Sequence, residues 1–427
     1  MTPRRFLAAL AVAAVLAVPA VADAQGERIL RVPGDYPSLD AAIAASIDGD
    51  VILLAAGTYP GGITVPEDKP GITIRGVDRN TVVFDGEQIR ANAIEVEADR
   101  VTLENLSAHD YVENGFYWDG VAGFAGRYLT VWNVGLYAIY AIQSRSGTIE
   151  QSYASGAADA AFYIGECYPC DTVVRHVTAR LSAVGYSGTN AGGNLIVEDS
   201  LFEANSIGIL PNSYDVGLEP PPQREATFRR NVVRDSGQAA TPRATPLGGF
   251  HGIGIGIAGG VGNQVEGNTV SGSARFGIAV FTTVDRGTRW VPSNNHIAGN
   301  TVSGSRFADL ALAKGTGTGN CFEGNVAAVA EPSDLATACA SAEGGGSVDI
   351  AAQLVWPPQM LLDGLPPAPS YADMPVPPPQ PTQPVDTTGS LLWLAFPATL
   401  VVLCGAALVL LLRRRRRSKA LVSPSRG

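Results

Sequence analysis

A four-residue phrase returns along this chain at a nearly fixed interval. Gly115-Phe116-Tyr117-Trp118, Ala138-Ile139-Tyr140-Ala141 and Ala161-Phe162-Tyr163-Ile164 stand 23 residues apart; Gly185-Tyr186-Ser187-Gly188 follows after 24 and Gly208-Ile209-Leu210-Pro211 after 23. Beyond an insertion the phrase resumes at Gly252-Ile253-Gly254-Ile255, Gly277-Ile278-Ala279-Val280 and Asp309-Leu310-Ala311-Leu312. A second phase runs between these, in Val101 to Leu106, Leu195 to Ser200, Val265 to Val270, Ile297 to Val302 and Phe322 to Asn325. Each unit offers short period-2 strands separated by Gly and Asn turns, too short for helices. A unit of this size has almost no core of its own, so its apolar face must be buried against the neighbouring copies. Stacked one strand spacing apart, about 4.8 Å, each strand pairs in parallel with its copy. The expected fold is all-β, a parallel β-helix. Phe116, Ile139, Phe162, Tyr186, Ile209, Ile253, Ile278 and Leu310 would form one inward stack, and Trp118, Ile164, Ile255, Val280 and Leu312 another. Asn residues at the turns can ladder by hydrogen bonding or adopt left-handed backbone.

A solenoid needs its end closed. Ser38 reads as the N-cap of a short capping helix with Leu39, Ala42 and Ile43 on one face; Gly49-Asp50 stops it and Val51-Ile52-Leu53-Leu54 reads as the first strand. The run Val32 to Leu39, this helix and Ala55-Ala56-Gly57-Thr58-Tyr59 resemble the opening of right-handed β-helix proteins of the pectin lyase-like fold. Gly115 to Gly120, Phe162 to Cys170 and Gly185 to Gly193 resemble exported, membrane-anchored bacterial proteins of the right-handed parallel β-helix repeat type. The resemblance covers roughly residues 28 to 340, implies the right hand of the coil, and says almost nothing about activity.

The two ends read as targeting. Residues 1–24 read as a signal peptide: Arg4 and Arg5, an apolar run from Phe6 to Val18, then Ala22-Asp23-Ala24. Residues 391–412 hold no charge and are long enough to cross a hydrocarbon core of about 30 Å. Five arginines, Arg413 to Arg417, follow directly and would keep the tail 413–427 in the cytoplasm. The β-helix, 25–345, would then face outward on a single-pass protein of the cell membrane. Between them, 11 of the residues 346–390 are proline, which suggests an extended extracellular linker that lifts the solenoid off the membrane. With the nine cations of the two ends and Asp23 set aside, residues 25–390 carry 21 basic and 39 acidic groups, a net charge of −18. Such a body has no general attraction for nucleic acid.

Cys167, Cys170, Cys321 and Cys339 fall outside the expected span, an even number in an oxidising compartment, and their short spacings favour the pairs Cys167–Cys170 and Cys321–Cys339. Redox chemistry or half a zinc site at the CxxC finds no second CxxC and no thioredoxin-like setting. Three methionines and four scattered histidines offer no soft metal cluster, so no metal and no cofactor is expected.

Side chains at one outward phase line up across coils. Tyr117, Tyr140 and Tyr163, with Ser187, Asn190 and Asn212 nearby, offer aromatic planes beside polar groups, as a sugar ring requires. The same ladder can simply shield the sheet. Acid–base chemistry would draw on Asp119, Asp159, Glu166, His109 and Asp110, although a His-Asp pair at a turn is commonly only solvated. The chain shows neither an Asp-Pro-His-Asp epimerase signature nor an Asp-rich calcium loop. The excursions opening at Asn212 and running from Gly237 to Phe250 can wall a cleft. Three functions remain: a surface module for extracellular or cell-wall polysaccharide, which is preferred; a polysaccharide lyase, epimerase or hydrolase; and a structural envelope protein.

Overall fold

The computed structural model describes residues 27–243, 251–335 and 367–385. Each coil lays down three short strands that join three long parallel sheets in turn. Sheet A has 12 strands, from Ile29–Val32 to Cys321–Glu323; sheets B and C have 11 each, B from Gly57–Tyr59 to Val326–Ala327 and C from Ile63–Val65 to Ala330–Glu331. The only antiparallel pair among the described residues is a hairpin, Thr283–Asp285 with Thr288–Trp290. The first strand is therefore Ile29–Val32, paired with Val51–Leu54, one coil earlier than the sequence suggested.

The corner from sheet A to sheet B explains the cadence of the repeat. One residue per coil there is left-handed: Asn105, Tyr128, Gln151, His176, Asp199 and Arg230 at φ 51–55°, then Gly267, Gly299 and Gly324 at 62°. Glycine takes this backbone without steric cost, and Asn and Asp tolerate it better than Tyr or Arg do. The next residue turns inward, and from Asn231 on it is always asparagine. Asn231 donates to Asn268, Asn268 to Asn300 and Asn300 to Asn325, at 3.1, 2.9 and 2.9 Å. A second ladder, Gln223, Asn263, Asn295 and Asn320, runs beside it at 2.8–2.9 Å. Buried amides are stable there because each meets its copy one coil away.

The inward stack on sheet C is Phe116, Ile139, Phe162, Tyr186, Ile209, Ile255, Ile278 and Leu310, all buried. At about 1.5–3 kcal/mol for each fully buried large apolar side chain, this row is a major part of the stability. One expectation is corrected. Ile209 pairs with Ile255, and Ile253 pairs with Ile207, so the stack passes through Ile255 and Ile257 rather than Ile253 and Ile255. The two insertions between these coils hide the register shift. Ile253 instead joins a separate apolar cluster on the outer side of sheet C, with Val184, Ile207, Leu210, Phe276, Phe281 and Tyr163.

At the N-terminal end a helix spans Leu39–Ala45, with Ser38 Oγ accepting the Ala41 N–H at 3.2 Å and Leu39, Ala42 and Ile43 buried. It packs against Ile29–Val32, Val51–Leu54 and Ile63–Val65. The described part of the Pro-rich segment does not stand off as a spacer. Residues 367–385 lie along the solenoid: Asn133 Nδ2 donates to Met374 O at 3.2 Å, while the side-chain amides of Asn80 and Asn105 each pair with both backbone groups of Gln380 and Gln383, at 2.8–3.0 Å. No helix among the described residues is long and apolar enough to cross a membrane; the expected signal peptide, span and tail lie outside them.

Candidate functional site

Period-2 alternation turns the residue after each inward one to the outer face of sheet C, and in-register pairing stacks these residues coil on coil. The row reads Glu95, Tyr117, Tyr140, Tyr163, Ser187, Leu210. The Tyr117 and Tyr140 rings lie 5.5 Å apart and tilted at 36°; Tyr140 and Tyr163 meet edge to face at 5.1 Å. A fourth ring completes the group: Tyr137, in the turn before its strand, stacks on Tyr140 at 4.7 Å and 16° and reaches Tyr163 at 4.8 Å. The result is a packed aromatic cluster rather than a flat ladder.

Carboxylates surround it. The Tyr117 hydroxyl donates to Glu95, and the Tyr137 hydroxyl to Asp159. Burial raises the Asp159 carboxyl to about 6, partly offset by the Tyr137 hydrogen bond. Burial and then the Glu95 charge raise that of Asp119. Burial likewise carries the phenols of Tyr117, Tyr137, Tyr140 and Tyr163 above the ordinary tyrosine value, and the neighbouring carboxylates push the same way. Among the described residues, the groups whose charge acts on these tyrosines are carboxyls and neighbouring phenols.

Glu166, left-handed at φ 55°, closes one end of the group. The excursion after Asn212 folds back over it: the Glu219 N–H donates to Glu166 Oε2 at 3.0 Å, Asn190 Nδ2 donates to the same carboxylate at 3.3 Å and to Glu219 O at 3.1 Å, and the Tyr214 N–H donates to Asn190 Oδ1 at 3.2 Å. Burial raises the Glu166 carboxyl to about 7 against the pull of these donors. Beside it, Cys167 and Cys170 form a disulfide with both residues buried. Cys321 is also disulfide-bonded, while Cys339 lies outside the described residues.

The open face is narrower than the sequence suggested. Tyr163, Ser187, Asn190 and Asn212 are buried: Asn212 donates to Ser187 Oγ at 3.2 Å and accepts from Thr189 at 2.9 Å, and Asn190 is committed to the loop. Tyr117, Tyr137 and Tyr140 remain half-buried, and Asp119 is exposed. His109 and Asp110 do not join this group, because their strand, Ser107–Tyr111, belongs to sheet B. Tyr137 has no counterpart in the repeat phase, and no sequence signal marks it. Glu95 was within reach, since it stands 22 residues before Tyr117, one coil back.

A family model described as "Right handed beta helix region" matches residues 114–285, the coils that carry this site. The chain is a right-handed parallel β-helix protein. Among solved structures, this β-helix is similar to the A-module of a mannuronan C-5 epimerase from Azotobacter vinelandii, at 15% identity over 67% of this chain and 83% of that one, with a TM-score of 0.43. It is similar as well to an alginate lyase from Paenibacillus sp. str. FPU-7, at 15% identity over 62% and 91%, with a TM-score of 0.45. A rhamnogalacturonan lyase aligns at 14% identity over 66% and 84%, with a TM-score of 0.44. A comparison with curated proteins finds no match.

Proposed function

We propose that this β-helix binds a neutral or weakly charged extracellular polysaccharide at the outer face of sheet C, held at the cell surface by the span 391–412. The observation that carries the reading is the half-buried Tyr117, Tyr137 and Tyr140 group bordered by Glu95, Asp119 and Asp159. Aromatic planes take the C–H faces of a sugar while carboxylates accept its hydroxyls. A polyuronate would meet carboxylates on this face and, among the described residues, no Arg or Lys acting on the tyrosines to neutralise it. The preferred ligand is therefore uncharged along its backbone.

Hydrolysis is the second reading, favoured by one observation. Asp159, raised to about 6 by burial, keeps its proton to a higher pH than an ordinary carboxyl, as a general acid working in mildly acidic solution requires, and the exposed Asp119 lies by the same tyrosines. A glycan array on the full chain, followed by a reducing-end assay on whatever it binds, decides between them. Binding to neutral glycans without release of new ends supports a binding module. New reducing ends, lost in Asp159→Asn, support the hydrolase. Binding confined to polyuronates contradicts both.

A further inference from the structure

We propose that Asp85, His109 and Asp110 form a binding site for a divalent cation of the zinc class on the outer face of sheet B. Asp85 and His109 are in-register neighbours on adjacent coils, and Trp132 is the next in the row. The Trp132 ring lies on the His109 imidazole at 4.4 Å and 18°, which fixes its plane. Adjacent residues of a regular strand point to opposite faces, so Asp110 would ordinarily face away. Its left-handed backbone, φ 59°, brings its carboxylate back to its neighbour instead.

The donors converge on one ring nitrogen. Asp110 Oδ2 lies 2.9 Å and Asp85 Oδ1 3.9 Å from His109 Nδ1, and one donor atom of each residue falls within 4.8 Å of the others. An ion about 2.0–2.2 Å from each of three donors needs them roughly 3–3.5 Å apart, which these separations bracket. Several carboxylates on the outer rows of sheets A and B are matched by arginines, Glu150 by Arg175, Glu198 by Arg229 and Glu203 by Arg234. Among the described residues, Asp85 and Asp110 have no such partner, and the Asp110 Oδ1 atom is shielded from solvent with no hydrogen bond. A shielded carboxylate oxygen without a donor is costly, and a cation held by both oxygens of Asp110 would satisfy it.

One imidazole nitrogen with two carboxylate oxygens suits zinc or manganese better than a soft thiophilic ion. All three residues are partly exposed, so water or a ligand can complete the coordination. Another histidine cluster, His296 with Glu323 and Cys321, offers no thiolate because Cys321 is disulfide-bonded.

The test is zinc chloride titrated into the purified full-length chain, followed by calorimetry and by Trp132 fluorescence. The site predicts one saturable zinc per chain in the micromolar range, with affinity at least tenfold weaker in Asp85→Asn and in Asp110→Asn. His109→Phe, which keeps an aromatic ring on Trp132, should abolish binding. Trp132→Phe should remove the fluorescence change and leave the stoichiometry at one. Absence of saturable zinc contradicts the proposal, as does zinc binding unchanged in both Asp85→Asn and His109→Phe. Should His109→Phe fail to fold, Asp85→Asn decides alone, since it is isosteric and partly exposed. Preference for calcium over zinc in the unsubstituted chain would also overturn the assignment.

Discussion

The Glu166 carboxylate accepts the backbone N–H of Glu219, 53 residues further along, at 3.0 Å, and so ties the first long excursion to the end of the tyrosine cluster. Raised by burial to about 7, from an ordinary value of 4.5, the carboxyl takes up its proton more readily folded than unfolded. The stabilisation linked to that proton is full below about 4.5 and is lost as pH rises through about 7. Asp159, raised to about 6, acts in the same direction at lower pH. Thermal unfolding should therefore show stability falling from pH 5 to pH 8, and Glu166→Gln should remove part of the slope, roughly 1 kcal/mol once solvent screening is allowed for. A slope unchanged in the variant would detach Glu166 from the effect.

The inward and outward rows differ sharply in what they contribute. Phe162 is buried in the core between Ile139 and Tyr186, so Phe162→Ala should cost about 3–5 kcal/mol in urea denaturation. Tyr140→Ala, on the half-buried outer face, should cost much less. Equal losses would mean that the tyrosine cluster is a second core.

The Asn268 side chain has four hydrogen bonds within the corner ladder: it donates to Phe228 O and Asn300 Oδ1 and accepts from the backbone and side chain of Asn231, at 2.9–3.1 Å. Asn268→Ala leaves those neighbours buried and unpaired and should cost about 1–3 kcal/mol. Urea denaturation of Asn268→Ala against the unsubstituted chain measures this, and an unchanged midpoint would contradict it.

The periodic parts of this fold were legible because a coil of constant length writes its own register. Phe116, Ile139 and Phe162 could be placed inside, and Tyr117, Tyr140 and Tyr163 on one outer row, from their 23-residue steps. Legibility failed where the period breaks. The insertions before Ile253 shifted the stack by two residues, Tyr137 reaches the cluster from a turn, and Glu166 is covered by a loop whose path no repeat dictates. The course of residues 367–385 was hidden for another reason. Proline content implies an extended chain but does not say what it lies against.

That course has a local signature. The backbone N–H groups of Gln380 and Gln383 are held by Asn80 Oδ1 and Asn105 Oδ1 at 2.8 and 3.0 Å. In hydrogen exchange these two amides should be protected, and Asn80→Ala with Asn105→Ala should release them without changing exchange in sheet C. Fast exchange at both positions in the unsubstituted chain would show the segment free.

Affinity for a neutral glycan, measured on the full chain with and without Tyr140→Ala, tests the central claim most directly. Tyr140 contacts Tyr117, Tyr137 and Tyr163 and has no place in the inner core. Loss of its ring should remove stacking of about 1–2 kcal/mol, a roughly 5- to 30-fold fall in affinity, with little change in melting temperature. No glycan binding by the unsubstituted chain, or equal affinity in the variant, would contradict the assignment of sheet C as a sugar-binding face.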